Sequence, residues 1–464
     1  MVKDKRLAFF AMILLLAAVF LAVSTARPAF ASSDSDSGSG QIQLFVQPLV
    51  ILNYSAVSGQ MFDVKINVTA TDFTFDLSGF TMTLGYDPTL LNCTDAGVGD
   101  LFSGFSVNAL TFINNTAGNV YASVNLTSST VNNNGTLLNL QFEVKGTGET
   151  SLHIYDAVLY GPGGTNIQFT AYDGYFNNEF KFDITMPLTL MAVTFASVFL
   201  NPKVENKLKG AFEESELRVR DAVLLVGLMA VMISLIVIVR QLSTVLTVLF
   251  LFAYSLLLYT FGYLLANKRW YLGIIAPAVF ILLYVFLRNS FIWTYYLSNV
   301  YGLVFAILIT LYLAGLFNWK TTAVFGVLIT AMDIVLVLVT KTMVQAASAT
   351  ASLSLPVLVS LPLIPVISTG AGLLILSLGL GDFFFAGLLA IQTYKKYGKR
   401  LAIASVVGMT ISFSIFEALI LTYNLGAFPG TLMIICGWVP FVLVQALRNW
   451  RKTNNVNLKH VIPS

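Results

Sequence analysis

The sequence predicts an α-helical polytopic membrane domain joined to an all-β domain on the extracytoplasmic side. Two observations carry that expectation. Of 464 residues, 56% are hydrophobic and only 11% are charged, with a mean hydropathy of +0.79, so lipid is expected to be the main solvent. The apolar residues are also unevenly placed. Residues 41–180 are rich in Asn, Thr, Ser and Gly, whereas residues 183–447 form an almost unbroken series of apolar runs. The net charge of +3 is small, and the basic residues cluster in short loops beside those runs, so nucleic acid is not an expected partner. Cys93 and Cys436 fall one in each region, and no disulfide within the chain is expected.

The N-terminus reads as a signal peptide over residues 1–31. Lys3, Lys5 and Arg6 precede an apolar stretch, and Ala29-Phe30-Ala31 offers a small-x-small cleavage site. The alternative is an uncleaved anchor; either way, residues 32–182 are expected outside the cytoplasm. A Ser/Asp/Gly linker covers 32–40. Residues 41–178 then alternate apolar and polar side chains over 64–68, 79–85, 121–126, 137–144 and 151–159, separated by turn residues, which predicts an antiparallel sandwich. Sequons stand at Asn53, Asn67, Asn92, Asn114, Asn125 and Asn134, and they agree with an outside placement. His153 lies in a β-run and is expected on a strand surface. Gly161-Pro162-Gly163-Gly164 reads as a turn between strands.

Residues 183–447 offer nine candidate spans, near 183–200, 222–239, 244–266, 270–287, 296–317, 321–340, 368–393, 401–422 and 428–447. With the first leaving the outer face, the cytoplasmic loops carry Lys203, Lys207, Lys209, Arg218, Arg220, Lys268, Arg269, Lys320, Lys395, Lys396, Lys399 and Arg400. The outer loops carry only Arg240, Arg288 and Lys341. This bias places the protein in the cell membrane as a multi-pass chain with a basic cytoplasmic tail, 448–464. Residues 342–366, interrupted by Pro356, Pro362 and Pro365, read as an outer loop or a re-entrant segment. Removal of 353–362 is expected to leave the fold intact.

Acidic residues within the spans are few: Asp333, Asp382 and Glu417. An ionised carboxylate in hydrocarbon costs several kcal/mol, so each is a functional candidate, with Glu417 expected as a polar contact inside the bundle or, in a transporter, as a relay group. Asp333 lies thirteen positions after Lys320, and Asp382 thirteen before Lys395. At about 1.5 Å per residue, both sit roughly 20 Å from the same end of consecutive antiparallel helices. Two carboxyl groups so placed share a proton, one taking a proton from water while the other polarises a carbonyl. Gly379 and Gly381 leave room for backbone beside Asp382, and Pro429-Gly430 interrupts the last span near the same depth. His153 and His460 are far apart, so no metal site and no cofactor are expected.

Two resemblances add to this reading. The runs Gly59-Gln60-Met61-Phe62-Asp63-Val64, Leu77-Ser78-Gly79-Phe80 and Tyr86-Asp87-Pro88 make residues 41–178 similar to a cohesin domain. So do Gly99-Asp100-Leu101-Phe102, Phe142-Glu143-Val144-Lys145-Gly146 and Ala157-Val158-Leu159-Tyr160. The resemblance implies a jelly-roll sandwich that binds a dockerin-like or other protein partner. Gly379-Leu380-Gly381-Asp382, preceded by Asp333 on the previous span, resembles the G-x-G-D signature of the presenilin and signal peptide peptidase family of intramembrane aspartyl proteases. That resemblance implies Asp333 and Asp382 as the catalytic pair, with Gly379, Leu380, Gly381, Pro429, Gly430 and Thr431 binding or shaping the substrate. It further implies single-span membrane proteins or signal peptides as substrates, cleaved within the lipid bilayer. Two positions depart from the family pattern: Met332 precedes the first aspartate in place of Tyr or Phe, and Pro429-Gly430-Thr431 stands where the family has Pro-Ala-Leu. A prepilin-type peptidase also uses G-x-G-D, but usually with a lysine after it, where this chain has Phe383-Phe384-Phe385. The remaining alternatives are a catalytically inactive anchor that displays the β-domain and a proton-coupled transporter.

Overall fold

In the computed structural model, the described residues are 42–461 except 53–55, 71–73, 128–129, 133, 210–216, 239–242, 267–268, 344, 347–352, 370–371 and 424. The expected signal peptide, the 32–40 linker, Asn53, Arg240 and Lys268 lie outside them.

Alternation of apolar and polar residues produces two facing sheets. One has the order β11 (Thr170–Tyr172), β1 (Ile42–Gln47), β3 (Met61–Ala70), β8 (Gly135–Val144) and β5 (Leu91–Val98). The other runs β2 (Val50–Leu52), β12 (Gly174–Asn177), β9 (Glu149–Tyr160), β4 (Gly79–Gly85), β7 (Asn119–Leu126) and β6 (Val107–Asn114), with β10 (Asn166–Ile167) paired to β9. All five expected β-runs fall inside β3, β4, β7, β8 and β9. Inward residues such as Leu44, Ile66, Phe80 and Phe142 fill the space between the sheets. Phe142 takes Tyr86 edge-on at 5.1 Å and Phe62 stacked at 5.8 Å. The turn after β9 needs left-handed backbone at Gly163 and Gly164 (φ 70° and 78°), which explains its glycines. His153 is on the strand surface, where its ring bonds Asp173.

Among the described residues nine long helices follow: α1 (Thr185–Lys209), α2 (Val219–Ile238), α3 (Ser243–Leu265), α4 (Trp270–Leu287), α5 (Ser298–Ala314), α6 (Trp319–Ile334), α7 (Leu380–Tyr397), α8 (Lys399–Tyr423) and α9 (Gly430–Val461). Among the described residues seven helical segments, in α1, α3, α4, α5, α6, α8 and α9, are long and apolar enough to cross a membrane. Helices α3 and α4 present Phe252, Leu256, Leu282 and Phe286 outward. In water such a surface would be an aggregation liability, whereas in lipid it is solvated. The segment expected as a tail from 448 continues α9 in one helix to Val461, since no Pro or Gly interrupts it before Pro463.

Two expectations are overturned between α6 and α7. The span near 368–393 is helical only from Leu380; before it the chain forms β14 (Ser368–Thr369), β15 (Gly372–Leu373) and β16 (Ile375–Gly379). β16 pairs antiparallel with β13 (Leu358–Pro362), with Leu358 opposite Gly379 and Pro362 opposite Ile375. The prolines and glycines here disfavour helix, and extended pairing satisfies the backbone instead. Within the 342–366 segment, expected as an outer loop or a re-entrant segment, residues 355–363 pack into the helical region. Leu355, Val359, Leu361 and Leu363 are buried. Tyr254 and Tyr284 hydroxyls donate to the carbonyls of Pro356 and Leu353, and the Trp293 indole donates to that of Ser354 at 2.8 Å. Removal of 353–362 would therefore disrupt the helical core.

Phe142 carries the centre of the sandwich. Phe142→Ala is expected to cost about 3–5 kcal/mol locally, read as faster hydrogen exchange of β3 and β8 amides in the full-length protein, with the helices unaffected.

Candidate active site

The site is assembled from three helix ends. Helix α6 starts at a capping box, in which the Asn318 side chain accepts from Thr321 N–H and the Thr321 hydroxyl accepts from Asn318 N–H. It carries Asp333 in its last α-helical turn, just before the backbone widens into a π-helical turn over Val335–Val339. π-turns recur at functional sites because they redirect side chains at the cost of a regular ladder. Asp333 is 7% exposed.

Asp382 comes from the opposite direction. β16 ends at Gly379, whose extended backbone (φ −70°, ψ 147°) is the N-cap of α7, and Asp382 sits in the first turn of that helix. A carboxylate there faces the positive end of the helix dipole. The following Phe383, Phe384 and Phe385 are buried, and they lock the turn into the core. Leu380 N–H bonds the Val357 carbonyl at 3.2 Å, while its side chain packs near Gly302. Gly381 is exposed, and a Cβ on it would meet nothing within 4 Å, so open space adjoins Asp382.

The third end is the N-terminus of α9, and it brings the two aspartates together. A Cβ at Gly430 would lie 2.5 Å from Asp382 Oδ1 and 2.6 Å from its Cγ, so a residue larger than glycine cannot stand there without displacing the carboxyl group. The next residue, Thr431, donates its hydroxyl to Asp333 Oδ2 at 2.7 Å and its N–H to the same oxygen at 3.3 Å. Consecutive Cα atoms are about 3.8 Å apart, so neighbouring residues of one helix turn touch both carboxyl groups. Pro429 lacks an N–H, which suits the entry to α9. Thus Asp333, Asp382, Gly379, Gly430 and Thr431 converge, and Leu380, Gly381 and Pro429 adjoin them.

Two features escaped sequence reasoning. The first is the role of Thr431: as a departure from a motif it predicts nothing, yet it supplies both donors that solvate Asp333. The second is the strand pair leading into Asp382. The far edge of β13 is occupied by Asn299, whose amide donates to the Ser360 carbonyl and accepts from Ser360 N–H, each at 2.7 Å. The far edge of β16 has no such partner among the described residues, and Ile375 and Ser377 on it are exposed. Glu417 is 5% exposed, within the bundle, and its Oε2 has no hydrogen-bond partner among the described residues. Among the described residues no group of three or more His, Cys, Asp and Glu could hold a metal ion.

On the sandwich, the outer face of β6 and β7 carries a small apolar patch. Leu110 and Phe112 on β6 are 61% and 60% exposed, and Tyr121 lies opposite Phe112 on β7. Residues 49–173 match the cohesin domain family. No curated protein matches the chain. Among solved structures, the chain is similar to a non-cellulosomal cohesin from the hyperthermophilic archaeon Archaeoglobus fulgidus (13% identity, 29% of this chain and 89% of that one, TM-score 0.24). It is also similar to the third cohesin ScaC of Acetivibrio cellulolyticus in complex with the ScaB dockerin (15%, 29% and 97%, TM-score 0.25). A third is the OlpC cohesin–Doc435 complex from Clostridium thermocellum (10%, 31% and 96%, TM-score 0.26).

Thr431→Val leaves Asp333 with one long N–H contact. It is expected to cost about 1–3 kcal/mol, seen as a lower unfolding temperature of the lipid-reconstituted protein, while Thr431→Ser restores it.

Proposed function

We propose that the chain is an intramembrane aspartyl protease whose cohesin domain recruits protein partners on the outer side of a cell membrane. The observation that carries the reading is the meeting of Asp333 and Asp382 across Gly430-Thr431. In this reading the two carboxyl groups hold one proton between them. The deprotonated one takes a proton from water as the water oxygen bonds to the scissile carbonyl carbon; the protonated one donates to the carbonyl oxygen. Return of a proton to the amide nitrogen then breaks the C–N bond, giving a carboxyl and an amino terminus. Helix α9 holds the pair in register, and Gly381 leaves the approach open.

The substrate is a single membrane-spanning helix or a signal peptide, which must unwind to expose its carbonyls. An extended segment could then add to the open edge of β16 and run directly toward Asp382. In this reading all nine helices cross the bilayer, α2 and α7 together with the seven apolar segments, with residues 32–182 outside and the C-terminus in the cytoplasm; the excess of Lys and Arg in alternate loops supports that orientation. The patch of Leu110, Phe112 and Tyr121 on β6 and β7 is the surface offered to a dockerin-like partner. A second reading is favoured by the cohesin match alone: a membrane anchor that displays a binding module without cleaving anything.

Purified protein in lipid is expected to cleave a single-span reporter whose N-terminus faces the cytoplasmic side. Asp333→Ala and Asp382→Ala should each lower the rate by about 10²-fold or more, and Gly430→Val should do likewise by displacing Asp382. Equal product from wild type and both aspartate variants would remove the dyad; absence of product across several substrates would leave the anchor. Independently, Phe112→Glu should weaken capture of a dockerin module about tenfold or more, measured by titration calorimetry; unchanged affinity would remove this face as the docking surface.

A further inference from the structure

The chain between the sandwich and α1 does more than connect them. Leaving β12, whose Tyr175 packs with Leu52 of the paired β2 against Leu363, Ile367 and Leu421, it passes Lys181, whose N–H and carbonyl both bond the Thr422 hydroxyl at 3.1 Å. It then reaches Asp183, which is 1% exposed. Asp183 Oδ1 accepts from Thr185 N–H at 3.1 Å and Oδ2 from Met186 N–H at 2.9 Å, the two bonds that a helix N-cap makes. Oδ1 also accepts from Ile364 N–H at 2.9 Å, two residues beyond the end of β13, and Ile184 N–H bonds the Ile364 carbonyl at 3.2 Å. Capping α1 does not require this third donor.

We propose that Asp183 is a positioning residue: by holding Ile364 it fixes β13, and through the β13–β16 ladder the entry to α7 that carries Asp382. The ladder makes the path short. β13 begins at Leu358 opposite Gly379, the N-cap of α7, and ends at Pro362, two residues before Ile364. Extended, paired backbone is a stiff connection, whereas a free loop of that length would absorb a displacement. The same linker is packed on the sandwich, so a load on the cohesin domain reaches the strand pair through Asp183. The consequence for catalysis rests on the proposed protease; the positioning itself does not.

Hydrogen exchange on the full-length protein in lipid nanodiscs separates the two. Asp183→Ala leaves the Ile364, Thr185 and Met186 donors without their acceptor. Exchange in Leu358–Pro362 and Ile375–Gly379 should accelerate about tenfold or more, while β3, β8 and α5 keep wild-type protection. Asp183→Asn retains Oδ1 for Thr185 and Ile364 and should keep the strand pair protected. Thr422→Val, which loosens the linker upstream, should leave it protected as well. In the cleavage assay, Asp183→Ala should lower kcat with KM little changed. Unaltered exchange in Asp183→Ala, equal loss in Asp183→Asn, or uniform loss throughout the chain would each overturn the positioning role. If wild type cleaves no substrate, the exchange result still decides it.

Discussion

The helical region is organised around the need to solvate two acidic side chains among apolar helices. A carboxyl group removed from water must find donors or share a proton, or its burial costs several kcal/mol. The N-terminus of α9 answers this at one point: Thr431 gives Asp333 an O–H and an N–H, and Gly430 leaves just enough room for the Asp382 carboxyl. That insertion constrains everything around it. Helices α8 and α9 must approach closely, which Gly408 and Gly437 permit by packing backbone on backbone. Helix α7 must be pinned at both ends. Its start is locked by Phe383, Phe384 and Phe385, and its end by Gln392, which donates to the carbonyls of Ala314 and Phe317.

Much of this was legible in the sequence, for identifiable reasons. Period-two alternation located β3, β4, β7, β8 and β9, because one face of each is buried in the sandwich. Asp333 and Asp382 stood out because charge is rare in apolar runs, and counting residues from Lys320 and Lys395 placed them at one depth. What failed was the reading of residues 353–369 and 372–379. An uncharged apolar run with scattered Pro and Gly has no period that separates a broken span from buried strands. Its real constraint, the hydrogen bonds from Tyr254, Tyr284, Trp293 and Asn299, comes from residues distant in sequence. Thr431 was visible only as a mismatch to a motif; its role as the donor to Asp333 needs the third dimension. Asp183 was invisible for the same reason, since a lone Asp before a helix reads as an ordinary cap.

The two halves of the chain also depend on each other. The sandwich has its own core, yet the strand that leaves it packs on residues flanking β13 and β16, and Lys181, in turn, bonds α8. A binding module mounted on a flexible tether would need neither contact. Packed as it is, the cohesin domain sits at one end of a short series of bonds that finishes beside Asp382. The proposed chemistry and the proposed recruitment are therefore linked physically, through named residues.

The central claim is that Asp333 and Asp382 act together on a peptide bond inside the bilayer, and the most direct measurement is where the bond breaks. Both products of a single-span substrate, cleaved by the lipid-reconstituted protein, would be sequenced by mass spectrometry. The account predicts new termini inside the apolar span, near its middle, with one oxygen from labelled water in the new carboxyl group. Termini in the polar flank, or products that persist unchanged in the Asp382→Ala protein, would contradict it.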